Sequence, residues 1–266
     1  MGRSPLTARL GTCLCTTHPI DKATQVHALR ADWLTGCIDP DTATTRTPIE
    51  TPGRPDTPVL VSPQHTPRRR MDTETGRAAL VHALAHIEFN AINLALDAAH
   101  RFAHQPVDYY ADWLQVADEE AQHFELLNTH LISLGYHYGD FPAHDGLWDM
   151  ALKTAHDPLV RMALVPRVLE ARGLDATPLI VEKLRGTGDS HLIDILATIE
   201  RDEIGHVAIG GRWFNYLCAA RGIEPEETFR ALLTEYDAPS PKPPFNLPAR
   251  RAAGFSETEL NWLLGL

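Results

Sequence analysis

Over most of this chain the apolar positions recur at helical rather than strand spacing. Four long segments carry the stripe, and local chemistry marks where each begins and ends. The first is expected to start at Asp72 or Thr73, both suited to an N-cap, and to stop before Pro106. The second runs from about Val107 to Leu134 and stops at Gly135. The third opens on Asp157 and Pro158, a capping aspartate followed by proline at the first helical position, and ends near Gly186. The fourth starts at Asp189 or Ser190 and stops at Gly222. Pro166 and Pro178 lie inside the third segment, and each is expected to kink or split it.

The links decide the topology. A few residues around Pro106 join the first two segments, and the turn at Gly186–Gly188 joins the last two, so each pair reads as an antiparallel hairpin. The link between the hairpins, roughly 136–156, is long. An all-α, ferritin-like four-helix bundle with one long crossover is the topology that fits. Outside it, Asp21 to Gly36 reads as one short helix on Val26, Leu29 and Trp33. Residues 40–67 hold seven prolines and seven threonines and read as an extended strap. Residues 239–248 form a second proline-rich linker, after which Ser256 and Glu259 make a capping box for a last helix bearing Trp262 and Leu263. The expected organisation is therefore 1–71 as N-terminal helix and strap, 72–222 as bundle, and 223–266 as C-terminal extension.

The apolar stripes carry acids. Val81, Leu84, Glu88, Ile92 and Ala95 share one face of the first helix. The second gives Val116, Glu120, His123, Leu127 and Leu134, and the third Leu159, Ala163, Glu170 and Leu174. The fourth gives Leu196, Ile199, Glu203, His206, Val207 and Phe214. A buried carboxylate without a partner costs several kcal/mol, and four in one core repel one another. Divalent cations remove the difficulty, and Glu-x-x-His sets both ligands on one helix face. The order is Glu, Glu-x-x-His, Glu, Glu-x-x-His, one group per helix, with 32 residues from Glu88 to Glu120 and 33 from Glu170 to Glu203. Two metal ions held by Glu88, Glu120, His123, Glu170, Glu203 and His206, and bridged by Glu120 and Glu203, are expected. Glu119 and Asp202 each stand four residues before a ligating histidine and are placed to accept its other N–H. Glu200 is a further candidate to bridge or replace a ligand.

Other features change this picture little. The net charge is −11, against a nucleic-acid surface, although Arg68, Arg69 and Arg70 form one local basic triplet. Cys13, Cys15, Cys37 and Cys218 lack the spacing of a disulfide framework or a zinc site and read as free thiols. No secretory leader is expected, and no apolar run approaches the roughly 18 residues of a membrane span. The cytoplasm is the expected compartment. His82 with His86, and His100 with His104, fall off the Glu88 stripe and read as surface or interface residues. Arg161, Arg167 and Arg172 flank Glu170 and read as structural partners of carboxylates, with an anionic substrate as the other reading. Gly205, Gly210 and Gly211 would allow close helix packing or leave room beside the metals, and the aromatic crossover 136–148 reads as a lid or as a packed strap.

Five blocks resemble a known family: His82 to Glu88, Val116 to Phe124, Tyr138 to Trp148, Val165 to Asp175 and Arg201 to Val207. They are similar to the bacterial ferritin-like proteins of domain of unknown function 455, across about residues 20–225. The resemblance implies the bundle and its six ligand positions, and it names no activity. More distantly, the pattern resembles di-iron tRNA hydroxylases and ferritins. The expected function is a di-iron oxidoreductase, with manganese or a mixed pair as the alternative metals. Its partners would be dioxygen and a small-molecule substrate, with neither nucleic acid nor membrane, in a monomer or dimer. Iron storage and a non-catalytic scaffold are the other readings.

Overall fold

Three of the four long helical segments begin where the sequence offers a side-chain cap. Thr73 accepts the Gly76 amide at 3.1 Å, Asp157 the Leu159 amide at 2.8 Å, and Asp189 the Leu192 amide at 3.1 Å. The computed structural model describes residues 3–44, 46–66, 71–238 and 241–266. The triplet Arg68, Arg69 and Arg70 lies outside the described residues. The chain is all-α, of the helical-bundle class, and divides into two units, Met1–Leu152 and Lys153–Leu266.

In the first unit, α1 (Leu6–Cys15) and α2 (Pro19–Leu34) precede the strap. Helix α1 was not foreseen, although Leu6, Leu10 and Leu14 mark its buried face. Two residues at each end of the α1–α2 pair, Ser4–Pro5 and Ile38–Asp39, run side by side in parallel. Then come α3 (Glu74–Arg101) and α4 (Val107–Ser133), and α5 (Gly146–Lys153) ends the crossover. Helices α3 and α4 are antiparallel: the Tyr109 hydroxyl donates to Ala98 O at 3.3 Å, while Phe124 meets Phe89 at 5.7 Å further along. Helix α3 carries an 18-residue window apolar enough to cross a membrane, contrary to expectation, and 78% of that window is buried within the protein.

That burial has a cause the apolar stripe does not supply. Helix α3 has a second buried row, and it is polar: His82, His86, Asn90, Asn93, Asp97 and His100. Irregular chain segments carry unpaired backbone groups that need partners, and this row provides them. His82 Nε2 accepts the Gly139 amide at 2.9 Å, and His86 Nδ1 lies 2.7 Å from the Tyr138 hydroxyl. Asn93 accepts from the buried Lys22, whose ammonium also reaches Leu14 O at 3.1 Å and Gly53 O at 2.9 Å. Asp97 holds Arg101, which donates to Ile49 O at 2.8 Å. Arg46 donates to the carbonyls of Ala99 and His100, closing the C-terminus of α3 with a cation. His82 and His86 are thus buried anchors, and His100 is buried as well, rather than the surface residues expected; of these four histidines His104 is exposed. The crossover is a packed strap: Val61 donates to Ala143 O at 2.8 Å, and Arg54 pairs with Asp145 at 2.7 Å.

Helix α2 lies along α4 through one titrating contact. His27 Nδ1 is 2.6 Å from Asp118, and Nε2 is 3.4 Å from Glu125. The hydrogen bond to Asp118 raises the imidazole above its ordinary 6.5, with burial opposing it. A histidine raised on folding stabilises fully below its unfolded value and loses that contribution as pH rises through the folded one. Half-exposed, the contact is worth under about 1 kcal/mol. In NMR titration His27 is expected to titrate above 6.5, and His27→Gln to flatten denaturant stability over that interval; a midpoint below 6.5 would contradict the assignment.

In the second unit the third segment is three pieces: α6 (Pro158–Leu164), a π-helical turn (Val165–Glu170) and α7 (Ala171–Leu184). Pro166 interrupts the α-ladder, as expected, but the chain widens instead of breaking. Pro178 sits inside α7 without splitting it. The carbonyl it leaves free, Leu174 O, accepts from Asn246 Nδ2 at 3.2 Å. Helix α8 (Ser190–Arg221) runs back antiparallel, with Arg221 on Asp157 at 2.6 Å and Gly210 against Pro166. A Cβ at Gly210 would stand 2.3 Å from the Pro166 ring, so glycine here serves close packing. Helices α9 (Pro225–Glu235), α10 (Leu247–Ala252) and α11 (Glu257–Leu264) complete the unit, and α11 opens on the expected capping box.

Candidate metal centre

The α3–α4 hairpin puts three expected ligands together. Ligand atoms of Glu88, Glu120 and His123 all lie within 4.8 Å of one another. His123 Nδ1 is 3.3 Å from Glu120 Oε2 and 3.6 Å from Glu88 Oε2. Glu120 and His123 are fully buried, and Glu88 is 4% exposed. The reason is the helical period: Glu120 and His123 share one face of α4, and antiparallel packing sets Glu88 opposite them.

The cluster could hold a metal ion, and its electrostatics oppose ionisation where no cation is bound. Burial raises the Glu88 carboxyl well above its ordinary range, and the adjacent Glu120 charge raises it further, while His123 opposes. Glu88 Oε2 is buried and accepts no hydrogen bond. Carboxylate oxygens and an imidazole nitrogen suit a divalent metal, and a buried cluster of this kind fits one. Aromatic rings close the neighbourhood: Tyr138 lies 5.8 Å from Phe89 and 5.3 Å from Phe124, the residues that follow Glu88 and His123.

The second unit repeats the local motif. On α8, Glu203 and His206 are buried, with His206 Nδ1 at 3.7 Å from Glu203 Oε1. Glu170 is the last residue of the π turn and is half-buried. Among the outer candidates, Glu119 takes Gln115 Nε2 at 3.0 Å on its own helix. Asp202 is held in two bonds by the neighbouring Arg201, at 2.9 and 3.0 Å. Glu200 accepts Asn246 Nδ2 at 2.9 Å. That contact comes from 46 residues downstream, and nothing local in the sequence announces it.

Of the three arginines near Glu170, one is shown paired with a carboxylate. Arg161 is buried and donates to Thr154 at 2.7 Å, Arg167 pairs with Glu259, and Arg172 is exposed. All four cysteines are free; Cys13 is buried and Cys15 exposed, so the two do not converge.

No solved structure matches the chain. An uncharacterized protein of Haemophilus influenzae (strain ATCC 51907 / DSM 11121 / KW20 / Rd) is 52% identical over 216 residues, covering 79% of this chain and 75% of that one. The model of the family described as "Protein of unknown function (DUF455)" matches residues 15–261. With helices, acids and histidines arranged as above, and with that match along nearly its whole length, the chain belongs to the DUF455 family.

Proposed function

We propose that this protein is a ferritin-like di-metal carboxylate oxidoreductase acting on a small molecule with dioxygen. One observation carries the reading: the carboxyls of Glu88 and Glu120 are buried side by side with His123, and burial and like charge push Glu88 away from ionisation. A cluster with no cation is unfavourable, because desolvation and like charge both oppose ionisation. The same Glu-x-x-His geometry on α8 supports a second set of ligands. In this reading Glu88, Glu120, His123, Glu170, Glu203 and His206 hold two divalent ions, iron first, with manganese or a mixed pair as alternatives.

Bound iron would supply one-electron chemistry with dioxygen. The chain's own residues would do the rest. Glu88, Glu120, Glu170 and Glu203 would carry the negative charge that balances the metals, and His123 and His206 would complete the sets as neutral imidazoles. The Phe89, Phe124 and Tyr138 rings would keep water out on one side, strengthening every charge interaction inside.

Anaerobic loading with ferrous iron, followed by oxygen exposure, tests the proposal. About two equivalents of iron per chain and rapid oxygen consumption with an optical change are expected. Iron that stays ferrous under oxygen would remove the oxidoreductase reading. Large self-assembled particles in light scattering would move the function to storage.

A further inference from the structure

We propose that the C-terminal segment 246–264 sets the position of Glu170 in the metal site, with Arg167 and Glu259 as the positioning pair. This rests on the reading of Glu170 as a ligand.

The argument starts at Pro166. Without an N–H it cannot continue the α-ladder, and the chain takes a π turn that ends on Glu170. A π turn has little stability of its own and persists where the surroundings over-determine it. Here they do so on both sides of Glu170. Before it, the Arg167 guanidinium is buried among Phe214, Phe229 and Phe255, at 5.1, 4.8 and 5.0 Å, and ion-pairs with Glu259. After it, Ala171 O accepts from Arg250 at 3.3 Å, and Asp175 holds the same arginine at 3.0 and 2.6 Å. Asn246 donates to Asp175 at 2.9 Å and to Leu174 O. Phe255, Glu259, Arg250 and Asn246 all come from the C-terminal segment, and Glu170 stands between its two grips.

The choice of residue is informative. Apolar contact already docks the segment, through Ala249, Ala253, Phe255 and Leu260 on Ala171, Leu174 and Val207. Burying a guanidinium costs several kcal/mol unless it is paired, so docking alone does not call for one. What arginine adds is direction: its planar fork and its stacking fix orientation as an alkyl side chain does not. That direction is imposed three residues before the ligand.

Glu259→Gln tests this cleanly. Glu259 Oε2 also accepts the Ser256 amide at 2.8 Å as the third residue of the capping box, and glutamine satisfies that box, so α11 keeps its start. The measurements are Mn²⁺ affinity by EPR and the Co²⁺ absorption spectrum, with the melting midpoint of metal-free protein followed in parallel. Glu259→Gln is expected to weaken metal binding by roughly 10- to 100-fold and to alter the Co²⁺ spectrum. Glu259→Asp is expected to recover part of both, and Arg167→Lys to behave as Glu259→Gln does. Unchanged affinity and spectrum in Glu259→Gln and Arg167→Lys, with only the midpoint lowered, would overturn the inference and leave the metal reading standing. A wild-type protein that takes up neither ion would overturn both.

Discussion

Glu120→Gln is expected to raise the melting temperature of the metal-free protein and to abolish its stabilisation by metal. Most substitutions of a fully buried residue act in the opposite direction. Here the wild-type residue is itself unfavourable without a cation, because its charge opposes ionisation of Glu88 inside the same dry cluster. Glutamine keeps the shape and removes the charge. Relief of about 1–2 kcal/mol corresponds to roughly 2–8 °C for a chain of this size. In the wild type, metal at about a thousand times its dissociation constant stabilises by about 4 kcal/mol. The variant should gain less than about 1 kcal/mol under the same conditions. Calorimetry with and without metal gives both numbers. A lower midpoint for the metal-free variant would mean that Glu120 serves the fold through hydrogen bonds, and the case for a cation site in the α3–α4 hairpin would fail.

The second large effect concerns the strap. Gly53→Ala is expected to destabilise the protein by about 3 kcal/mol, at the upper end for overpacking by one methyl group. A Cβ at Gly53 would stand 2.3 Å from Cys15 O, 2.4 Å from Cys15 C and 2.5 Å from Thr16 O. These are backbone atoms at the end of α1, so no rotamer change relieves the clash. Moving the strap instead would loosen the Gly53 amide from Leu14 O, at 2.7 Å, and Gly53 O from Lys22. Urea denaturation measures the loss, and a change within about 0.5 kcal/mol would show that the strap is not seated here. Ser62→Ala, on an exposed stretch of the same strap, provides the comparison and should lie within that margin.

Helix ends were legible because their signals are local. Thr73, Asp157 and Asp189 cap amides two or three residues on, and Gly135 and Gly222 take the left-handed conformation that ends α4 and α8. The grouping of Glu88, Glu120 and His123 was legible because helical period and hairpin length fix it together. Long-range pairing was not. Nothing near Pro178 says that Asn246 will cover its orphaned carbonyl, so a kink or a split was expected where α7 runs on unsplit. The form of the π turn was equally hidden, since it depends on Gly210 and on the aromatic residues around Arg167. The polar row of α3 was readable in principle at positions 82, 86, 90, 93, 97 and 100, which follow helical spacing. A polar row of this kind reads as the solvent side, because one buried face is the ordinary expectation for a helix.

That second face gives α3 an advantage during synthesis. Lys22, Arg46 and Ile49, which serve its lower half, all precede it in the chain. They have left the ribosome before the helix is complete, so the C-terminal half of α3 can meet its partners as soon as it emerges. The Glu88 edge waits for α4, which brings Glu120 and His123, so the part of the helix covered last is the part that carries the candidate metal ligands.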